Sequence, residues 1–255
     1  MKLKEQLDYY YKQYNHPGFI TNDPVQIPHL FTTKQDIEIM GFFAAILAWG
    51  QRVTIINNCH KLINIFNNVP YDFIKNHQPN DLKKSQGFVH RTFNDTDLLS
   101  IIGFLQEIYN QYDSMEQAFT AHLGSHDANV EKAINGFRMQ YEHSESYIKR
   151  TVKHIAYPAG GSACKRINMF LRWMVRKDTN GVDFGLWQAI KPSQLICPLD
   201  IHVLNVATGL GLLKNAKGDW KTAVLLTEKL KAFDKSDPVK YDFALFGMGV
   251  NKVGY

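Results

Sequence analysis

The chain lacks the residues that build a cysteine-stapled or cysteine-metal scaffold. Its three cysteines, Cys59, Cys164 and Cys197, stand far apart and form no Cys-x-x-Cys pair. That spacing argues against a structural zinc or an iron–sulfur centre held by cysteine alone. It leaves the three as small buried hydrophobes. The ten histidines are scattered. Long apolar runs are missing too. The longest nearly apolar stretch, GFFAAILAWG at 41–50, is too short to span a bilayer. The opening MKLKEQLDYYYKQY is amphipathic and polar, with no apolar signal-peptide core. These absences predict a cytoplasmic protein with no membrane partner. No stretch alternates apolar and polar residues between hairpin turns, which argues against a sheet. Neither repeats nor low-complexity linkers are present, and composition marks no domain boundary.

What is present is ordinary for a globular chain. At 255 residues, 45% hydrophobic and 21% charged, it has ample length for a core, as one large domain or two small lobes. A net charge of +5 is mildly basic. It permits an anionic partner without requiring one.

The periodicity predicts an all-α fold. In 31–51, Ile37, Met40, Phe43, Ala44 and Leu47 recur at helical spacing. Thr33 with Asp36 approximates a capping box there, and Gly50 can end the helix. A second helix is expected over 53–69, stopped by Pro70, and others near 71–76, 95–111, 114–123, 128–140 and 145–156. After the break YPAGGSA at 157–163 comes the helix CKRINMFLRWMVRK. A further helix opens near Asp200, another after Asp219, and the last at Asp237-Pro238.

Two of these helix starts carry chemistry. Gly160-Gly161 permits positive φ and close backbone approach, and the helix N-terminus after it suits a phosphate. Lys165 sits in the first turn of that helix, where the helix dipole disfavours its ammonium form; a neutral Lys is a nucleophile. Asn168, Met169, Arg172 and Arg176 follow it at steps of three and four as a basic stripe, on another face from Ala163, Ile167, Phe170, Leu171 and Met174. Asp200, in CPLDIHV, reads as an N-cap, which also fixes its carboxylate in one orientation. Taken singly, Lys165 is a surface charge and Asp200 a cap.

Together, the Gly-containing turn, the Lys that opens the next helix and the Asp in Pro-x-Asp-x-His-Val resemble the helix-hairpin-helix DNA glycosylase superfamily. Asp200-Ile-His-Val203 stands where many members carry Asp-Thr-His-Val. The stretch AAILAWGQRVTIINNCHKL at 44–62 is similar to the early superfamily segment in which a helix ends in a Gln, here Gln51. The Lys-to-Asp spacing, and KRINMFLRWM at 165–174, look closer to the archaeal 8-oxoguanine glycosylases. The chain also looks like an uncharacterised bacterial family. The likeness covers about 35–65 and 155–250. The usual hairpin reads Leu-Pro-Gly-Val-Gly, one residue, then Lys; Pro158 to Lys165 is two residues longer.

The resemblance implies a single two-lobed helical domain over 1–255, with the hairpin and catalytic segment at about 145–210. It implies a monomer on double-stranded DNA, excising a flipped damaged base, with an oxidised purine the nearest analogy. Asp200 would face the charge developing on the sugar, and Lys165 would attack C1′ as an abasic-site lyase. Gly160, Gly161 and Ser162 would hold a backbone phosphate, Arg172 would add charge, and Gln51 would fill the gap left by the base. Trp49, Trp173 and Trp220 are the aromatics available for stacking, and His202 is expected to make a structural hydrogen bond. No cofactor is expected, with room for a monovalent cation at the hairpin. The alternatives are a non-catalytic nucleic-acid-binding protein on the same scaffold, or an unrelated all-α interaction protein. Lys165 and Asp200 facing one cleft would favour the first reading, and opposite surfaces would sink it.

Overall fold

The computed structural model describes residues 2–214 and 216–255; Met1, which opens the amphipathic first stretch, lies outside them. The fold is all-α: eleven α-helices and several 3₁₀ turns, with one two-residue hairpin, among the described residues. None of these helices is long and apolar enough to cross a membrane. The chain divides into two compact units that interleave along the sequence. Unit 1 is Met1–Thr21, Ser125–Lys132 and Tyr157–Tyr255, and unit 2 is Asn22–Gly124 and Ala133–Ala156. Composition marks no boundary because the chain changes unit four times.

Unit 2 is built on α2 (Lys34–Ile46), buried along nearly its whole length, with α3 (Arg52–Ile65), α4 (Pro70–Asn76) and α5 (Asp95–Gln111) around it. Helix α2 ends at Ile46, before the expected Gly50, which lies in the following turn at φ 107°. Two asparagines end α3 ahead of Pro70. Asn67 and Asn68 both adopt left-handed backbone, and their amides reach back to Asn64 O (3.1 Å) and Ile63 O (2.9 Å). This is a Schellman closure, and Asn tolerates its geometry. Pro70 then opens α4 at its first position. A capping box of Asn94 and Asp97 opens α5. Two short helices complete the unit, α6 (Met115–Thr120) and α7 (Glu131–Glu142), the latter entering from unit 1. Sequence patterning missed the hairpin of β1 (Val89–His90) and β2 (Phe93–Asn94), which is too short to alternate. The expected helix over 145–156 is a 3₁₀ turn, Lys149–His154. Thr151 Oγ1 donates to the buried Asp97 Oδ1 at 2.7 Å, a local side-chain bond that competes with helix.

Unit 1 packs α11 (Asp242–Asn251) between α1 (Leu3–Tyr14) and α9 (Ile201–Gly209), with α8 (Lys165–Val175) and α10 (Trp220–Lys231) beside them. Two glycines set how closely α11 approaches its neighbours. A Cβ on Gly247 would enter the Tyr14 ring, and one on Gly249 would sit 2.8–3.1 Å from the Cβ and backbone of His202. The expected cap of Asp237 on the last helix is absent: it flanks a 3₁₀ turn, Pro238–Tyr241, and its carboxylate takes Arg176 instead.

Because the atoms against Gly249 are backbone, Gly249→Ala is expected to lower stability by about 1–3 kcal/mol. Urea unfolding checks this, and an unchanged midpoint would contradict the close approach.

Candidate functional site

The two expected catalytic side chains come together. Lys165 Nζ lies 3.8 Å from Asp200 Oδ2, and the side chains keep 27% and 21% of their surface in solvent. Each is placed by a helix start. Lys165 is the first residue of α8, after Cys164 in a left-handed conformation (φ 52°) that turns the chain into the helix. Asp200 is the N-cap of α9: its Oδ1 accepts from Val203 N at 3.0 Å, leaving Oδ2 toward Lys165. From α11, the Phe246 ring lies 5.9 Å below the ammonium, a cation–π distance.

An ion pair so near solvent stabilises a protein by about 0–1 kcal/mol. A Lys in a first turn costs a similar amount against the helix dipole. The pair therefore has little to offer as a stability device.

Beneath it lies a buried network that the sequence reading missed. Arg172 of α8 and Arg176, its C-cap, do not form a basic stripe on the surface. They are 4% and 1% exposed, and Asn168 and Met169 are buried with them. Arg172 Nε donates to Asp183 at 3.2 Å, and its Nη1 donates to Asp242. Arg176 holds the other oxygen of Asp183 at 2.9 Å, Asp237 at 2.9 Å, Asp178 at 2.7 Å and the Tyr11 hydroxyl at 2.8 Å. Phe243 lies against both guanidinium groups. Arg172 is thus a structural ion-pair partner and is not placed on a surface that meets DNA. The signal was legible in principle: Asp178 and Asp183 follow the two arginines closely in sequence.

Asp242, the first residue of α11, is the functional candidate that patterning gave no reason to choose. Burial pushes its carboxyl up to about 6; Arg172 pulls it down, Asp200 raises it and Lys165 lowers it. The Lys–Asp pair and Asp242 therefore share one electrostatic environment.

The hairpin does not fit a phosphate in the expected way. Pro158–Gly160 is a 3₁₀ turn closed by Gly161 at φ 77°. Gly160 N–H donates to Tyr157 O (3.2 Å) and Gly161 N–H to Pro158 O (2.8 Å), so both amides serve the turn itself. Ser162 pairs with Asp219 as an isolated bridge, and its Oγ accepts from Cys164 N at 3.1 Å. The carbonyls of Tyr157 and Pro158 each take one of these turn amides. An open cavity of about 650 Å³ flanks this turn, lined in part by Gly161, Trp220 and Glu131.

The remaining candidates separate. Gln51 is the exposed N-cap of α3 in unit 2 and makes no side-chain cap bond. Trp173 is core, Trp220 donates to Glu131 Oε2 at 2.8 Å, and Trp49 is half-buried under Arg91. In place of the expected hydrogen bond, His202 packs edge-on against Phe246. All three thiols are buried, and burial pushes Cys59 and Cys164 up to about 12.

A folded-state carboxyl raised above its ordinary value holds its proton more tightly than the unfolded chain does. Asp242 therefore contributes most stability below about pH 4, and that contribution is lost as pH rises toward 6. Asp242→Asn is expected to flatten the pH dependence of unfolding in this window, read from urea midpoints between pH 4 and 7.

The chain belongs to the DUF2400 family, described as a protein of unknown function, whose model matches residues 23–251. No curated protein and no solved structure matches it.

Proposed function

We propose that this member of the DUF2400 family is a DNA glycosylase with a Lys-dependent abasic-site lyase activity. The observation that carries the reading is the solvent-open Lys165–Asp200 pair, 3.8 Å apart at two helix starts. Its resemblance to helix-hairpin-helix glycosylases in the segments around both residues supports it, and so does the small stability such a pair provides.

The substrate is duplex DNA with a damaged nucleotide flipped out of the stack. An oxidised purine is the first lesion to try. The bond between base and C1′ breaks, and its electron pair leaves on the base. Asp200, held by its cap bond, faces the positive charge that develops on the sugar. The Lys165 ammonium gives a proton to the departing base, and its amine forms the new bond to C1′. A proton passes from the new C1′–N ammonium to O4′ as the C1′–O4′ bond breaks, which opens the sugar ring and leaves a Schiff base. Loss of a C2′ proton then expels the 3′ phosphate and cuts the strand.

Borohydride reduces such a Schiff base to a stable adduct. Duplexes bearing 8-oxoguanine, uracil or an abasic site are incubated with protein and borohydride. The expected result is a covalent adduct that disappears in Lys165→Ala. Asp200→Ser retains a cap and removes the carboxylate, so it is expected to keep stability within a few tenths of a kcal/mol. Its base release is expected to fall about 100-fold. Absence of an adduct and of base release on every duplex would refute the reading and leave Asp200 a helix cap.

A further inference from the structure

Unit 2 carries a basic cluster assembled from three separate elements. The turn between α2 and α3 contributes Trp49, Gly50 and Gln51, and Arg52 opens α3 after it. The β-hairpin turn contributes Arg91, and the 3₁₀ turn Lys149–His154 contributes Arg150 and Lys153. These elements are joined by specific contacts. The Arg91 guanidinium lies 4.8 Å over the Trp49 ring, and its side chain crosses the α-carbon of Gly50, where a Cβ would come within 3.1 Å. His90 ties the hairpin to the same turn through Trp49 O at 3.2 Å. Arg150 Nη2 donates to Thr92 O at 3.1 Å, which brings the third element against the hairpin. Lys153 follows Arg150 by one 3₁₀ turn, on the same side.

The backbone is unusual where these elements meet. Gly50 is at φ 107° and Arg91 at φ 57°. Arg91 is the first of the two residues in the hairpin turn, a position where a tight turn takes left-handed backbone. Here it aims an exposed guanidinium along an indole face, which lowers the freedom that a contact must remove. Next to Arg52, Val53 leaves 69% of its surface in solvent. Two acids lie close to Arg150: the buried Asp97 pairs with it at 3.1 Å, and Asp95 binds the amides of Gly87 and Thr96.

We infer that Arg52 and Arg91 form the surface by which unit 2 holds the sugar–phosphate backbone of duplex DNA, with Gln51 and Val53 beside the contacted strand. The assignment rests on the glycosylase reading for its choice of partner. Guanidinium groups match phosphate in charge and fork geometry. An exposed apolar side chain beside them fits a deoxyribose or an unstacked base edge.

The test is fluorescence anisotropy of an undamaged duplex across a NaCl series. The proteins are the full chain, Arg91→Asn, Arg52→Gln and the two combined; Asn tolerates the left-handed backbone at 91. Each lost phosphate contact is expected to weaken binding and to lower the slope of log K against log salt by about one. Melting curves check that each variant is folded. Wild-type affinity and slope in Arg52→Gln and in the folded Arg91→Asn would overturn the assignment, as would a wild-type chain that does not bind the duplex. Borohydride trapping separates the two proposals. Salt-dependent binding lost in the variants, without any wild-type adduct, leaves this surface standing and removes the chemistry. An adduct with unchanged slopes removes the surface and leaves the chemistry.

Discussion

Unit 1 depends on one buried anion, Asp183. It bridges Arg172, in the last turn of α8, and Arg176, which caps that helix, and both guanidinium groups are removed from water. A buried charge is costly unless paired, and removing one partner commonly costs 3–5 kcal/mol. Around this bridge the loop after α8, the start of α11 and the first helix each contribute one group: Asp178, Asp242 and Tyr11. The network holds α8 at a fixed rotation and depth. Lys165 leaves the N-terminal end of that helix, so its place relative to Asp200 follows from ion pairs two and three turns away.

The excess of acid in this network gives Asp242 its character. Asp178, Asp183, Asp237 and Asp242 outnumber the two guanidinium groups. Burial raises Asp237 as well as Asp242 above the ordinary carboxylate range. Asp178, with Asn15 and Arg176 donating to it, is instead held below that range despite its partial burial. Carboxyls gathered on two neighbouring guanidinium groups are thus shifted in opposite directions, Asp178 down by its donors and Asp237 and Asp242 up by burial.

Helices were legible in the sequence because their cues are local. Apolar spacing gave α2, α5 and α10, and Asp200 and Asp219 cap as their patterns predict. Lys165 and Asp200 were legible as a pair only through resemblance, since no local rule joins residues on different helices. The failures share a cause. Arg172 and Arg176 look like surface residues until their partners on other elements are known. Gly160 and Gly161 advertise available amides until the turn that uses them is seen. The stretch 145–156 scores as helix, yet its polar side chains bond outward to Asp97. In each case a tertiary partner decided what composition left open.

The pairing of α1 with α11 imposes an order on synthesis. Tyr241 reaches Asp8, 233 residues earlier in the chain, and Gly247 receives Tyr14. The first helix leaves the ribosome long before its partner exists. Unit 2, whose residues all precede Tyr157, can close while the remainder of unit 1 is still being made. During that interval Leu7, fully buried in the finished fold, has no native cover. The contacts between α1 and α11 form only once residues 242–251 have been made.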